Sequence, residues 1–595
     1  MTTTDLAPST ALPTWNLDDL YTSPEAPELE ADLVDAERQS EAFQEKYAGR
    51  LAALSGAELG KAVASFETIL DKLFRVMSYA QLLHAGDMGN ADIGRFYQTL
   101  QERVTGITTL TLFFTLEINH IEDARLSEQL ADAGLQHYAP WIQITRAQRP
   151  HQLADELEKL LHEKSVTGGA AWSRLFDETM ADMRFDVAGK ELTMSDVQNQ
   201  MSDPDGKMRE TAARALSAGL KKHGRILSLI TNTLAKDKQI EDGWRKYSSP
   251  MASRNLANQV EDQVVDALAS AVRENYGDLS HRYFALKAKW FGQEKLDWWD
   301  RNAPLPDADS AKFSWDQAKQ SVLSAYGGFA PEMATIAGRF FDERWIDAPP
   351  RAGKNSGAFA HPTVASAHPY ILLNFHGKTR DVMTLAHELG HGVHQVLAAP
   401  QGTLMANTPL TLAETASVFG EMLTFQSLLK NETDPRRKRV MLAGKVEDMM
   451  NTVVRQIAFH TFECRVHGER VDGEISAERL AEIWMETQRE SLGPVFTFDV
   501  DYKTMWGYIP HFVHSPFYVY AYAFGDCLVN SLYSVFKDGH PGFQEKYFEM
   551  LKSGGTKGHR ELLAPFGLDA SDPDFWKRGL SVISGFIGQL EAMAD

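Results

Sequence analysis

His387, Glu388 and His391 spell H-E-x-x-H within TLAHELGHGVHQVLAAP, and this arrangement restricts the fold more than any other stretch of the chain. Apolar residues around it recur at helical spacing, and Pro400 and Gly402 mark where the helix must stop. Residues four apart stand one above the other on a helix, so the two imidazoles share a face and can grip one Zn²⁺, with Glu388 beside them. With 19 histidines among 595 residues, chance supplies about 0.04 such matches. Catalytic zinc takes three protein ligands and keeps one position open, so this helix must pack closely against a further element. Gly390 and Gly392 inside the helix point the same way. Each costs about 1 kcal/mol relative to Ala, a cost offset where another backbone or a substrate approaches closely.

The following segment, TLAETASVFGEML, offers the remaining ligand. Glu414, Val418, Glu421 and Phe425 fall on one stripe at steps of four, three and four. Carboxylates on an otherwise apolar stripe are costly unless they meet a cation or a hydrogen-bond donor. Glu414 is the expected ligand, because the connection through Gly402 and Pro409 is short and brings its turn towards the metal helix. Glu421 is the expected second carboxylate, orienting a ligand histidine; a structural ion pair is the other reading. His394 is rotated away from a metal centred between His387 and His391, and reads as a packed histidine. FHTFECRVH carries His460, Glu463 and His467 at helical spacing, but lacks the partner motif a di-iron bundle requires and reads as packing.

A late segment, YIPHFVHSPFYVYAYAFGDCL, gathers His511, His514, Tyr518, Tyr520 and Tyr522 in an apolar setting. Tyr O–H or His N–H groups aimed at a developing oxyanion stabilise it, whereas an aromatic cluster as such is core material. A continuous helix here would put His514, Tyr518 and Tyr522 on one face and Tyr520 elsewhere.

The rest of the chain is mainly helical in rhythm, as at Leu153, Leu157, Leu160 and Leu161. Two stretches differ: MRFDVAGKEL reads as a hairpin around Gly189, and GAFAHPTVASAHPYILLNF as two or three short strands. The expected class is therefore mainly α with one small β-sheet near the active site. Residues 1–14 are expected to be a disordered tail, 15–194 an N-terminal helical region and 195–595 the catalytic domain.

Lys and Arg number 60 against 81 Asp and Glu, a net charge of −21, which disfavours nucleic acid and anionic membrane as partners. The apolar stretch from Pro516 to Phe536 is interrupted by Asp526 and Asn530 and reads as a buried helix, not a membrane span. Two cysteines, Cys464 and Cys527, cannot staple a chain of this size, and the opening MTTTDLAPSTALPTW lacks the basic and apolar regions of a secretory signal. A cytoplasmic setting is expected.

HELGHGVHQ, LAETASVFGEM and IPHFVHSPFYVYAYAFG resemble the oligoendopeptidase F branch of the thimet oligopeptidase family of zinc metallopeptidases, and WNLDDLY and ITRAQRPHQLADELEKLL with AWSRLFDE resemble its amino-terminal region. The resemblance implies a zincin-like (gluzincin) fold, a two-lobed helical ellipsoid with a deep central channel, and zinc-dependent endopeptidase action on short peptides. It implies zinc ligands His387, His391 and Glu414, with one Zn²⁺ per chain, and Glu388 as general base. It further implies that His511, Tyr518 and Tyr522 stabilise the intermediate, and that Gly357, Ala358 and Phe359 pair with the substrate backbone as an added strand does. A helical zinc carboxypeptidase sharing H-E-x-x-H is the alternative within peptidases, and a non-catalytic peptide-binding helical scaffold the alternative outside them.

Overall fold

The computed structural model describes residues 12–165, 167–305 and 312–593. Of the expected tail, residues 1–11 lie outside the described residues, and so does Pro306. Pro13 and Thr14 are tied by their carbonyls to Ala348 N and Arg344. Helices dominate, and the described strands are short: β1 (Phe185–Val187), β2 (Lys190–Leu192), β3 (Leu296–Asp297), β4 (Ile346–Asp347), β5 (Phe359–His361), β6 (Tyr370–Leu372) and β7 (Phe496–Thr497). They form three small sheets. One lies beside the site and one is the expected hairpin β1–β2, which turns through Ala188 and Gly189 at positive φ; the parallel pair β3–β7 is the addition. Among the described residues no helix is long and apolar enough to cross a membrane. Residues Tyr520–Lys537 form a buried helix, as their composition indicated.

The chain divides into two compact units, each assembled from separated segments. The first comprises residues 1–149, 310–431 and 539–566. Here the helix Thr379–Ala398 lies along the helix Thr415–Asn431. A Cβ on Gly390 would strike the Ala416 carbonyl and come within 2.6 Å of Ser417 Cα, and one on Gly392 would meet the Phe340 ring at 2.5 Å. The two glycines thus let one helix backbone and one aromatic ring close on the H-E-x-x-H helix. An aromatic cluster braces the partner helix from behind: Phe419 sits 5.0 Å from Phe329 and 4.7 Å from Tyr547. A three-stranded sheet in the order β4-β6-β5 leaves β5 as an edge, packed against the helix Thr379–Ala398.

The second unit comprises residues 150–309, 432–538 and 567–595. Its core gathers Leu216 and Leu220 of the long helix Gly206–Trp244 with Trp298, Phe459, Phe462, Trp484, Tyr502 and Trp506. A buried ion pair, Arg209 to Asp300 at 2.7 Å, is satisfied by further bonds from Arg209 to the Asp203 and Pro204 carbonyls. The helix Tyr520–Lys537 packs on Pro573–Ala592, with Phe524 and Trp576 rings 4.9 Å apart.

Candidate active site

The metal-type helix begins where Asp381 Oδ2 accepts the backbone N–H groups of His376 and Lys378, at 2.8 and 2.9 Å. It gives way at Ala399–Gln401 to a tighter turn and then to Gly402, at φ +87°. Between these ends the four-residue step sets the His387 and His391 rings 4.9 Å apart and nearly perpendicular. Glu414 stands at the end of the short turn Leu410–Ala413, immediately before the next helix. Its Oε2 lies 3.3 Å from His387 Nε2 and 3.5 Å from His391 Nε2. Donors about 2.0–2.2 Å from a tetrahedral Zn²⁺ stand about 3.4 Å from one another. The three side chains therefore already describe one face of such a coordination shell, and each remains partly open, at 27, 20 and 27% exposure. Among the described residues no other trio of His, Cys, Asp or Glu side chains converges in this way.

The surroundings hold this set in place. His387 Nδ1 faces Glu421 Oε2 at 3.3 Å, which leaves Nε2 to point towards Glu414. Ser417 Oγ donates to Glu414 Oε2 at 2.7 Å, and the buried Tyr326 hydroxyl donates to the Ala386 carbonyl. The sequence reading does not single out these last two, although Ser417 sits at the i+3 step where a helical residue meets Glu414. His394 is buried, with Nε2 3.3 Å from Thr408 Oγ1, and stands apart from the trio as its rotation around the helix requires.

Electrostatics fit a cation at this point. Burial disfavours a charge on His387, yet hydrogen bonds to Glu414 and Glu421 outweigh it and hold the imidazole proton well above its usual range. Burial brings His391 down to about 4. Burial would raise Glu414, but the hydrogen bond from His387 and the charges of His391 and His387 bring it down to about 2. A bare carboxylate thus faces an imidazolium, a charge arrangement that a bound divalent ion takes over while leaving both imidazoles neutral. Glu388 is 6% exposed, and burial, opposed by the His387 charge, raises it to about 7.

Gly357 and Ala358 precede β5 and Phe359 begins it. Asn374 Nδ2 donates to the Gly357 carbonyl at 3.1 Å, and Gln395 Nε2, from the metal-type helix, to the Ala360 carbonyl at 3.2 Å.

In the second unit the late aromatic segment is not one helix. A short turn His511–His514 is separated from the helix Tyr520–Lys537 by Ser515–Val519. Pro516 biases Ser515 away from helical geometry, and Phe517 adopts φ +59°. The expectation of His514, Tyr518 and Tyr522 on a shared helical face is therefore corrected. His514 Nε2 instead meets Asp177 Oδ1 at 2.8 Å, while Tyr520 is buried with its hydroxyl accepting from Asn258 Nδ2 at 2.8 Å. The segment brings together His511, Tyr518 and Tyr522: His511 Nε2 is 3.3 Å from the Tyr522 hydroxyl, and the Tyr518 ring lies 6.0 Å from His511 and 5.2 Å from Tyr522. Burial, then the Arg455 and His514 charges, hold His511 below its ordinary range and hence neutral. Glu463 Oε1 accepts the Phe517 N–H at 2.9 Å, and His460 and His467 flank the Phe517 ring, so FHTFECRVH is packing.

A model of Peptidase family M3 matches residues 199–582. The chain belongs to this family. A second family model, Oligopeptidase F, matches residues 117–185 of this M3 peptidase. It is 28% identical over 578 residues to oligopeptidase PepF of Bacillus subtilis, covering 94% of this chain and 84% of the relative. It is 29% identical over 507 residues to an oligoendopeptidase F homolog of Borreliella burgdorferi, covering 84 and 85%. Its fold matches that of oligoendopeptidase F from Enterococcus faecium with a TM-score of 0.72 at 22% identity, over 95% of this chain and 98% of the other. It also matches PZ peptidase A, solved with an inhibitor, with a TM-score of 0.71 at 15% identity, over 94 and 97%. The M3 chain is thus a mainly helical metallopeptidase of the oligopeptidase F branch, a hydrolase of peptide bonds.

Proposed function

We propose that this M3 peptidase binds one Zn²⁺ per chain through His387, His391 and Glu414 and hydrolyses internal bonds of short peptides. Endopeptidase action on short peptides is the activity its family and its oligoendopeptidase F relatives carry. The observation that supports the metal assignment is the approach of both Nε2 atoms to one carboxylate oxygen at 3.3 and 3.5 Å. When bound, the ion acts as a Lewis acid on the scissile carbonyl and lowers the pKa of water.

The remaining work falls to the chain itself. Glu388 accepts a proton from the attacking water at its carboxylate and delivers it to the leaving amine nitrogen. Its burial, which brings it to about 7, suits a group that must both take and give a proton near neutrality. His511, Tyr518 and Tyr522 present N–H and O–H donors to the oxyanion. The edge strand β5, with Gly357 and Ala358 before it, offers backbone groups to an extended peptide. A cytoplasmic location fits the free thiols of Cys464 and Cys527, and fractionation against secreted and cytosolic markers tests it.

The deciding experiment uses an internally quenched peptide blocked at both ends, incubated with purified protein before chelation, after chelation and after Zn²⁺ is restored. Cleavage that disappears and returns with the metal supports the reading. An untouched blocked peptide alongside cleavage of one with a free carboxyl end supports a carboxypeptidase, and no metal-dependent cleavage of either sinks the assignment.

A further inference from the structure

The metal-type helix also grips the strand beside it. Ile371 N–H donates to the Trp345 carbonyl at 2.9 Å, and Leu373 N–H, just past β6, donates to the Asp347 carbonyl at 3.0 Å. Backbone direction alternates along a strand, so Ile371 faces β4 while Tyr370 and Leu372 face β5. Ala360 stands opposite Ile371. Its N–H and C=O therefore point away from β6, along the open edge of the sheet. Groups on such an edge are ordinarily left to water or to an added strand. Both are taken here by side chains of one helix: Glu388 accepts the Ala360 N–H, and Gln395 Nε2 donates to the Ala360 carbonyl at 3.2 Å. Seven residues make two helical turns, which puts Glu388 and Gln395 on one face, bracketing a single strand residue. Among the described residues Gln395 Oε1 is buried without a hydrogen-bond partner. A side chain that served only to pack would avoid that cost as Met. The donor end is what this position uses.

An N–H on one carboxylate oxygen fixes the rotation of the carboxylate and leaves the other oxygen for water. That N–H keeps its aim only while the strand carrying it is held, and the Gln395 bond holds the next peptide along. We propose that Gln395 is a positioning residue for the reaction: it fixes the edge strand at Ala360, so that the Ala360 N–H orients the Glu388 carboxylate towards the attacking water. The inference rests on the reading of Glu388 as general base. Gln395 is not among the side chains that converge on the candidate metal site, so its loss acts on orientation and leaves zinc in place.

Gln395→Met and Gln395→Glu both keep the side-chain length and remove the donor, the second when ionised, so either answers the question if the other fails to fold. Both are expected to hold one zinc per chain and to lose about 10- to 100-fold in kcat on an internally quenched peptide, with a much smaller change in KM. Because Gln395 acts through Glu388, adding Gln395→Met to Glu388→Gln should cost no more than about twofold further. Hydrogen exchange gives a readout independent of turnover. In Gln395→Met the Ala360 amide should exchange about 10-fold faster, while β6 keeps its protection through its bonds to β4. A kcat within about twofold of wild type in both variants, with Glu388→Gln inactive, overturns this inference and leaves the base assignment standing. A loss that repeats in full in the Glu388→Gln background also overturns it, since Gln395 then acts elsewhere. Faster exchange throughout β6 reduces Gln395 to a structural role. Near-normal turnover by Glu388→Gln refutes the base reading itself, and the positioning role falls with it.

Discussion

Nδ1 of His387 lies 3.3 Å from Oε2 of Glu421, on the helix that follows Glu414. A carboxylate at Nδ1 selects the tautomer with its proton there and frees the Nε2 lone pair for a metal. Glu421→Ala is therefore expected to weaken zinc binding about 10- to 100-fold while the fold persists. Chelator competition measures the affinity, and a value equal to wild type would remove the orienting role and leave Glu421 as a structural ion-pair partner.

Glu388 is next in sequence to His387, and its carboxylate does not join the group in which His387, His391 and Glu414 offer ligand atoms within 4.8 Å of one another. Replacement by Gln keeps the shape and removes the base. Glu388→Gln should retain one zinc per chain by elemental analysis and lose roughly 10²- to 10⁴-fold in kcat. Near-normal turnover in that variant refutes the assignment.

Gly390 separates two helices that touch backbone to backbone. An added methyl has no room, because the Ala416 carbonyl and Ser417 Cα are main-chain atoms that cannot swing away. Gly390→Ala is expected to destabilise the unit by about 1–3 kcal/mol or more and to loosen zinc, since Glu414 and Ser417 move with that backbone. Gly444, in the helix Pro435–Met449, has nothing within 4 Å of a built Cβ. Gly444→Ala should raise stability by up to about 1 kcal/mol. Thermal midpoints of the two variants should move in opposite directions; a shared sign would contradict the packing argument.

The convergence of His387, His391 and Glu414 was legible in the sequence because its spacing is local: a four-residue step on one helix and a carboxylate just before the next. The hairpin was readable for the same reason, its turn being written in Ala188 and Gly189. The late aromatic segment was only partly readable. Periodicity alone continued a helix through Ser515–Val519, whereas Pro516 and the left-handed Phe517 interrupt it, and the anchor for that turn, Glu463, lies on a distant stretch of chain. The small parallel pairing of β3 with β7 is hidden in the same way, since two residues a side leave no alternation to detect.

Glu463 provides a prediction with a definite sign. It is 2% exposed, and burial, opposed by the Phe517 N–H and the Arg254 charge, pushes it up to about 8. In the unfolded chain it titrates near 4.3. Between those values the native state holds a proton that the unfolded state has released, so this group's contribution is complete below about pH 4 and is lost as pH rises towards 8. The slope within that window is roughly 1.4 kcal/mol per pH unit. Glu463→Gln keeps an oxygen for the Phe517 N–H, which holds the backbone beside Tyr518, and has no proton to lose. The difference in thermal midpoint between variant and wild type should therefore shift in the variant's favour from pH 5 to pH 8. Parallel pH profiles for the two proteins would mean that Glu463 ionises in the native state as it does in water, and that the turn carrying Tyr518 is not held by a protonated carboxyl.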